Sequence, residues 1–136
     1  MKIAVIYWSG TGNTQSMAEY IAGGIKEAGA EAEIFEVSDA PMSFENYDKV
    51  AFGCPAMGAE VLEEDAFEPY FSAVESGLSG KPVALFGSYG WGDGEWMRSW
   101  QERITADGAA LFEEGLIACG EADESECADF GRRFAS

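Results

Sequence analysis

Ser9-Gly10-Thr11-Gly12-Asn13-Thr14 places three hydroxyl side chains, an amide and two glycines in six residues. It follows the unbroken apolar run Ile3-Ala4-Val5-Ile6-Tyr7 and opens into a helical pattern near Gln15. A strand, a glycine turn and a helix N-terminus in that order gather unsatisfied N–H groups and a partial positive charge. That is the chemistry of an anion site. No lysine stands in the loop, so the Gly-Lys-Ser/Thr ending of a nucleoside-triphosphate loop is missing. The glycine spacing does not match the dinucleotide fingerprint either. A hydroxyl-rich loop without a cation suits one terminal phosphate monoester, with Ser9, Thr11, Asn13 and Thr14 as neutral donors. A Gly/Thr-rich turn that binds nothing has the same local sequence, and two later loops decide between the readings.

Cys54-Pro55-Ala56-Met57-Gly58-Ala59-Glu60 follows the apolar run Val50–Gly53, and Gly87-Ser88-Tyr89-Gly90-Trp91-Gly92-Asp93-Gly94 follows Val83–Phe86. Glycines on both sides of Trp91 leave its indole outside the strand and free to stack on a planar ligand. The polarizable thioether of Met57 suits the opposite face of such a ligand. Taken singly, a methionine or tryptophan is ordinary core. Here both lie among glycines and beside a phosphate-type loop.

The elements that must position these loops alternate from end to end, which favours a doubly wound α/β fold. Strands are expected at about 2–7, 31–37, 50–54, 83–86 and 109–118, the last interrupted by Glu113-Glu114-Gly115. Helices are expected near 14–28, 64–77, from about 95 past Ile104, and 123–134, with an irregular crossover from Pro41 to Asp48. Strands one, three and four are apolar on both faces, as central parallel strands are. Strands two and five carry glutamates, which belong on sheet edges. The order 2-1-3-4-5 satisfies both conditions, and its switch point puts ligands over the carboxyl ends of strands one and three.

Composition narrows the chemistry. The 136 residues fit a single domain, 47% apolar, with a net charge of −17 and no histidine. That charge disfavours nucleic acid and anionic membranes as partners. Without histidine, hydrolytic triads and zinc sites lose their commonest residue. Cys54, Cys119 and Cys127 form no CxxC pair and are expected as reduced thiols in a cytoplasmic protein. No signal peptide or membrane span is expected from the N-terminal run.

The three loops together resemble those of short-chain flavodoxins of the clostridial type, and the resemblance extends over the whole chain, including Trp96-Met97-Arg98. It implies a flavodoxin-like fold with a five-stranded parallel sheet, helices on both faces, and one FMN-binding domain over 1–136. The implied protein is a low-potential one-electron carrier, not an enzyme, moving between FMN semiquinone and hydroquinone in place of ferredoxin. By resemblance, 9–14 holds the FMN phosphate, and Met57 and Trp91 sandwich the isoalloxazine. The Gly58–Ala59 peptide lies beside flavin N5, and Glu60 accepts from N3–H. Pro55 and Ala56 complete that loop, Ser88 and Gly90 line the ribityl and pyrimidine side, and Tyr89 and Gly92 complete the cofactor-binding loop around Trp91. Relatives often carry Asp or Ser where Ala59 stands, so only a backbone role is expected there. Implied partners are flavodoxin or ferredoxin reductases and ferredoxin-dependent oxidoreductases with basic docking surfaces, met by a monomer.

Two acidic clusters are candidates for docking: Glu60, Glu63, Glu64, Asp65 and Glu68 beside the flavin loop, and Glu121, Asp123, Glu124, Glu126 and Asp129 at the last helix. The alternative function is a small FMN-dependent NAD(P)H:quinone reductase, but the chain lacks the insertions that build a substrate pocket in those enzymes. A phosphorylated receiver module would need acids after strand one and a lysine after strand five. Tyr7-Trp8-Ser9 and Cys119-Gly120 stand there instead.

Overall fold

The computed structural model describes residues 1–136. Six strands and four α-helices follow in the order β1 (Lys2–Tyr7), α1 (Asn13–Glu27), β2 (Glu31–Glu36), β3 (Lys49–Gly53), α2 (Phe67–Val74), β4 (Pro82–Tyr89), α3 (Glu95–Ala106), β5 (Ala110–Leu111), β6 (Leu116–Cys119) and α4 (Glu124–Ala135). The parallel sheet runs β2-β1-β3-β4-β5, and β6 also pairs with β4. The expected order holds, with the fifth position filled by two short strands, because Glu113 enters the left-handed region (φ 51°) and breaks the ladder.

Alternation along the strands makes two cores. On β1, Ile3, Val5 and Tyr7 face α1 and α4, together with Met17, Ile21, Ile25, Phe130 and Phe134. Ala4 and Ile6 point the other way, into a core built from Phe67, Phe71, Trp96 and Trp100 of α2 and α3. This double burial is why the central strands read as continuous apolar runs. Phe67, Phe71 and Trp100 meet edge-on or stacked with centroids 5.4–5.9 Å apart.

The crossover between β2 and β3 holds no α-helix, only a 3-10 turn at Val37–Asp39. It is pinned from outside: Lys81 Nζ donates to the carbonyls of Phe44 (3.2 Å) and Tyr47 (2.7 Å), and Tyr70 Oη donates to Pro41 O (2.6 Å). α2 begins three residues later than the sequence suggests and continues as a 3-10 turn over Glu75–Leu78. All three cysteines are free thiols. No helix is long and apolar enough to cross a membrane.

Candidate functional site

Parallel strands bring their carboxyl ends to one side, so the segments after β1, β3, β4 and β6 converge. They line a cavity of about 250 Å³ walled by Trp8, Gly10, Thr11, Asn13, Pro55, Ala56, Met57, Ser88, Tyr89, Gly90 and Gly120. Backbone bonds lace the wall together: Ala56 N–H donates to Ser88 O (3.0 Å) and Gly120 N–H to Tyr89 O (2.9 Å).

The loop 9–14 enters α1 through Gly12 in the left-handed conformation (φ 99°), which a side chain adopts only with strain. No side chain caps α1. Ser9 Oγ accepts from Gly12 N–H (3.0 Å), leaving its own proton free to donate, and Thr11 Oγ1 accepts weakly from Asn13 N–H (3.4 Å). The N–H groups of Thr11, Thr14 and Gln15 have no partner within the protein. α4, by contrast, is capped by Asp123, which accepts from Ser125 and Glu126. Thr14 differs from its neighbours. It is buried, and its hydroxyl is paired with that of Ser88 at 2.8 Å, stitching the first loop to the third.

Met57 opens a tight turn closed by Glu60 N–H to Met57 O (2.7 Å) and backed by Met57 N–H to Val61 O (3.0 Å). Glu60 carries φ 52°, while neither Gly58 nor Ala59 has a positive φ. The Glu60 carboxylate accepts from Gly94 N–H at 3.3 Å and lies against Gly92, where a Cβ would stand 2.6 Å from its Oε1. The second loop is thereby tied to the third. Cys54 sits under this turn with its sulfur accepting from Glu63 N–H (3.3 Å), and burial pushes the thiol up to about 12. It stays protonated and unreactive.

Of the residues expected at the site, Gly10, Thr11, Asn13, Pro55, Ala56, Met57, Ser88, Tyr89 and Gly90 line the cavity. Ser9, Gly12 and Thr14 shape its first loop, and Gly58, Ala59, Glu60 and Gly92 its rim. Trp91 stands outside the wall with 65% of its surface exposed, so it is not core. Two lining residues were not among those expected. Trp8 folds its indole to 3.1 Å from where a Gly10 Cβ would be, and Gly120 closes the far wall. Both are the first residues past β1 and β6; the switch-point rule pointed to the end of β1 but not to that of β6.

The acidic cluster beside this loop divides. Glu63 is buried, and its carboxylate accepts from Asp65, Ala66 and Phe67 N–H, each at 2.8 Å. Burial alone would raise its pKa, but the three N–H donors outweigh it and hold the carboxyl below its ordinary value. Glu68 is held by Arg103 at 2.7 Å. Glu64 and Asp65 remain exposed, and Glu60, Asp93 and Glu95 bring carboxylate oxygens within 4.8 Å of one another. The residues present fit FMN: free N–H donors at an uncapped helix start, a cavity next to them with Met57 in its wall, and an exposed indole, Trp91, beside the lining residue Gly90.

The family model described as flavodoxin matches residues 5–131. The chain is 50% identical over 135 residues to a flavodoxin of Clostridium beijerinckii, spanning 97% of this chain and 98% of the relative. It is 40% identical over 134 residues to one of Megasphaera elsdenii, spanning 98% of each. The solution structure of the two-electron reduced Megasphaera elsdenii flavodoxin superposes with a TM-score of 0.91 at 41% identity, covering 98% of both chains. Oxidised flavodoxin 1 from Bacillus cereus gives 0.85 at 33%, covering 98% of this chain and 97% of that one.

Proposed function

Because the chain belongs to the flavodoxin family, we propose that residues 9–14 hold the phosphate of FMN and that Met57 and Trp91 flank its ring. The protein is an FMN-binding, low-potential one-electron carrier and not an enzyme. When bound, FMN supplies the one- and two-electron redox chemistry; the polypeptide supplies the setting.

The single observation that carries the phosphate assignment is the set of unpartnered N–H groups of Thr11, Thr14 and Gln15 at the start of α1. These neutral donors and the helix dipole bind an anion without placing a cation beside the ring. A lysine there would favour added electrons and raise the potential. The rim does the opposite. A carboxylate about 10 Å from an added charge, at an effective dielectric near 20, opposes it by roughly 1–2 kcal/mol. Glu60, Asp93 and Glu95 concentrate that effect where Met57 and Trp91 would cover the ring.

The exposed carboxylates of Asp93 and Glu95, with Glu64 and Asp65 and the half-buried Glu60, support docking to redox enzymes that present basic surfaces, such as flavodoxin or ferredoxin reductases and ferredoxin-dependent oxidoreductases. Three free thiols support a cytoplasmic setting.

The test is binding of FMN and of riboflavin to apoprotein. FMN should bind far more tightly, since riboflavin leaves the α1 donors empty. Equal affinities would remove the phosphate assignment.

A further inference from the structure

At the C-terminal end of α3, about 18 Å along the helix from the loop 87–94, three carboxyl groups gather around one guanidinium. Arg103 Nε and Nη2 donate to Glu75 at 3.0 and 2.7 Å, Nη1 and Nη2 donate to Glu68 at 2.7 and 2.8 Å, and Nη2 also reaches Ser72 Oγ at 3.2 Å. Every guanidinium nitrogen is engaged by the two glutamates. Asp107, one helical turn beyond Arg103, receives none of these donors. Its Oδ2 is buried without a hydrogen-bond partner, while its carboxyl lies within hydrogen-bond reach of Glu75. Asp107 is also the C-cap of α3, where the helix dipole disfavours a negative charge.

We propose that Asp107 and Glu75 share one proton, carried by Asp107 and donated to Glu75, so that the junction of α2 and α3 is a pH-sensitive clasp. A proton on Asp107 ends the acceptor-against-acceptor contact with Glu75 and removes one of the three negative charges facing a single positive one. The charged groups around it are Glu75 from the turn after α2, Glu68 from α2 and Arg103 from α3. Lys81 lies beyond that turn but is committed to the Phe44 and Tyr47 carbonyls. Burial, then the hydrogen bond and charge of Glu75, push the Asp107 carboxyl up to about 6 against the pull of Arg103. Arg103 holds Glu75 below the ordinary carboxylate range.

The direction of the pH effect follows. A carboxyl whose folded pKa is raised above the unfolded value of about 3.9 stabilises the fold fully below that value. The contribution is lost as pH rises through about 6. Net repulsion over the whole acidic surface also changes with pH, but it is common to parent and variant and cancels in their difference.

The experiment uses FMN-loaded protein and Asp107→Asn, whose amide keeps the donor and cannot ionise. Denaturant unfolding should bring the variant and parent close together only at about pH 3.5, below the unfolded value, with the variant already ahead at pH 5. At pH 8 the variant's folding equilibrium should be about tenfold more favourable, after allowance for solvent screening. Carboxyl carbon NMR of the parent should give an Asp107 inflection near 6. In Glu75→Gln that inflection should fall, because the new amide donates to the Asp107 carboxylate. A parent inflection near the ordinary value of about 3.9, a stability gap that does not change with pH, or an inflection unmoved by Glu75→Gln would each overturn the shared proton.

Discussion

Trp91 and Glu63 show how one residue type divides by environment. Trp91 is the most exposed large apolar side chain in the protein, on the rim of the cavity, while Trp96 and Trp100 are almost wholly buried. An exposed indole held by flanking glycines contributes nothing to the core, so its loss should be felt in cofactor binding alone. Trp91→Ala is expected to weaken FMN binding by about 1–3 kcal/mol, the worth of one stacked and covered aromatic ring. It should also raise the fluorescence of bound flavin, which an adjacent indole quenches. A mutant that keeps its FMN tight and dark would show that the indole does not stack. Glu63 looks like one more surface acid in the sequence but serves as a buried cap for three N–H groups. Glu63→Ala should destabilise the fold by about 1–2 kcal/mol. Because its folded pKa is depressed, the stabilisation is present above the unfolded value of about 4.3 and is lost as pH falls through the lower folded value. Unfolding curves at pH 7 and pH 4 check this: the gap between parent and variant should shrink at the lower pH.

At the scale of elements, the turn 57–60 is the most consequential piece of backbone. It is closed by the Glu60–Met57 bond, and nothing lies within 4 Å of where a Gly58 Cβ would be. A side chain at 58 therefore meets no neighbour, and any effect must come through the backbone. If the 58–59 peptide rotates on reduction into a turn with positive φ at its first central position, a β-branched residue at 58 pays about 1–3 kcal/mol there. Gly58→Val should then lower the first one-electron potential by about 50–130 mV, from roughly 59 mV per tenfold, with oxidised FMN affinity little changed. Ala59→Gly should leave that potential in place. Rotating the peptide from the turn as it stands, however, moves ψ of Gly58 and φ of Ala59. A silent Gly58→Val combined with a raised potential in Ala59→Gly would put the strain at 59. Redox titration of the two variants distinguishes the cases.

For the whole molecule, the distribution of charge matters more than its total. Seven of the eight cations are engaged: Lys2, Arg98, Arg103, Arg132 and Arg133 pair with carboxylates, while Lys49 and Lys81 donate to backbone carbonyls. Only Arg98, paired with Asp93 at 3.1 Å, stands near the rim, and both partners are exposed, so screening leaves that pair little effect. Apart from that exposed pair, the acids beside the cavity are neutralised only by solvent ions. Raising ionic strength should lift the second, charge-adding potential by on the order of 20–50 mV, while the first, in which a proton accompanies the electron, moves much less. Equal shifts in both couples would mean that the carboxylates do not set the second one.

The sequence alone determined the strand order and the crevice over which three loops meet, because both follow from local pattern. Strands apolar on two faces must lie inside a parallel sheet, strands with glutamates must lie at its edges, and the order 2-1-3-4-5 puts three glycine-rich loops over one crevice. Tertiary structure decided what local pattern cannot carry. Gly24 and Gly131 sit inside helices, where glycine is unfavourable. They read as defects until α1 and α4 cross. A Cβ on Gly24 would overlap the Ala128 carbonyl, and one on Gly131 the Ile21 carbonyl. The fates of Glu63, Glu68 and Thr14 were hidden for the same reason. Whether an acid is a docking charge, a cap or an ion-pair partner depends on which donors the packed helices bring to it. Arg103 and Glu68 are 35 residues apart, and Thr14 and Ser88 are 74 apart. Periodicity reports which face of its own element a residue occupies; only the packed chain settles what stands opposite.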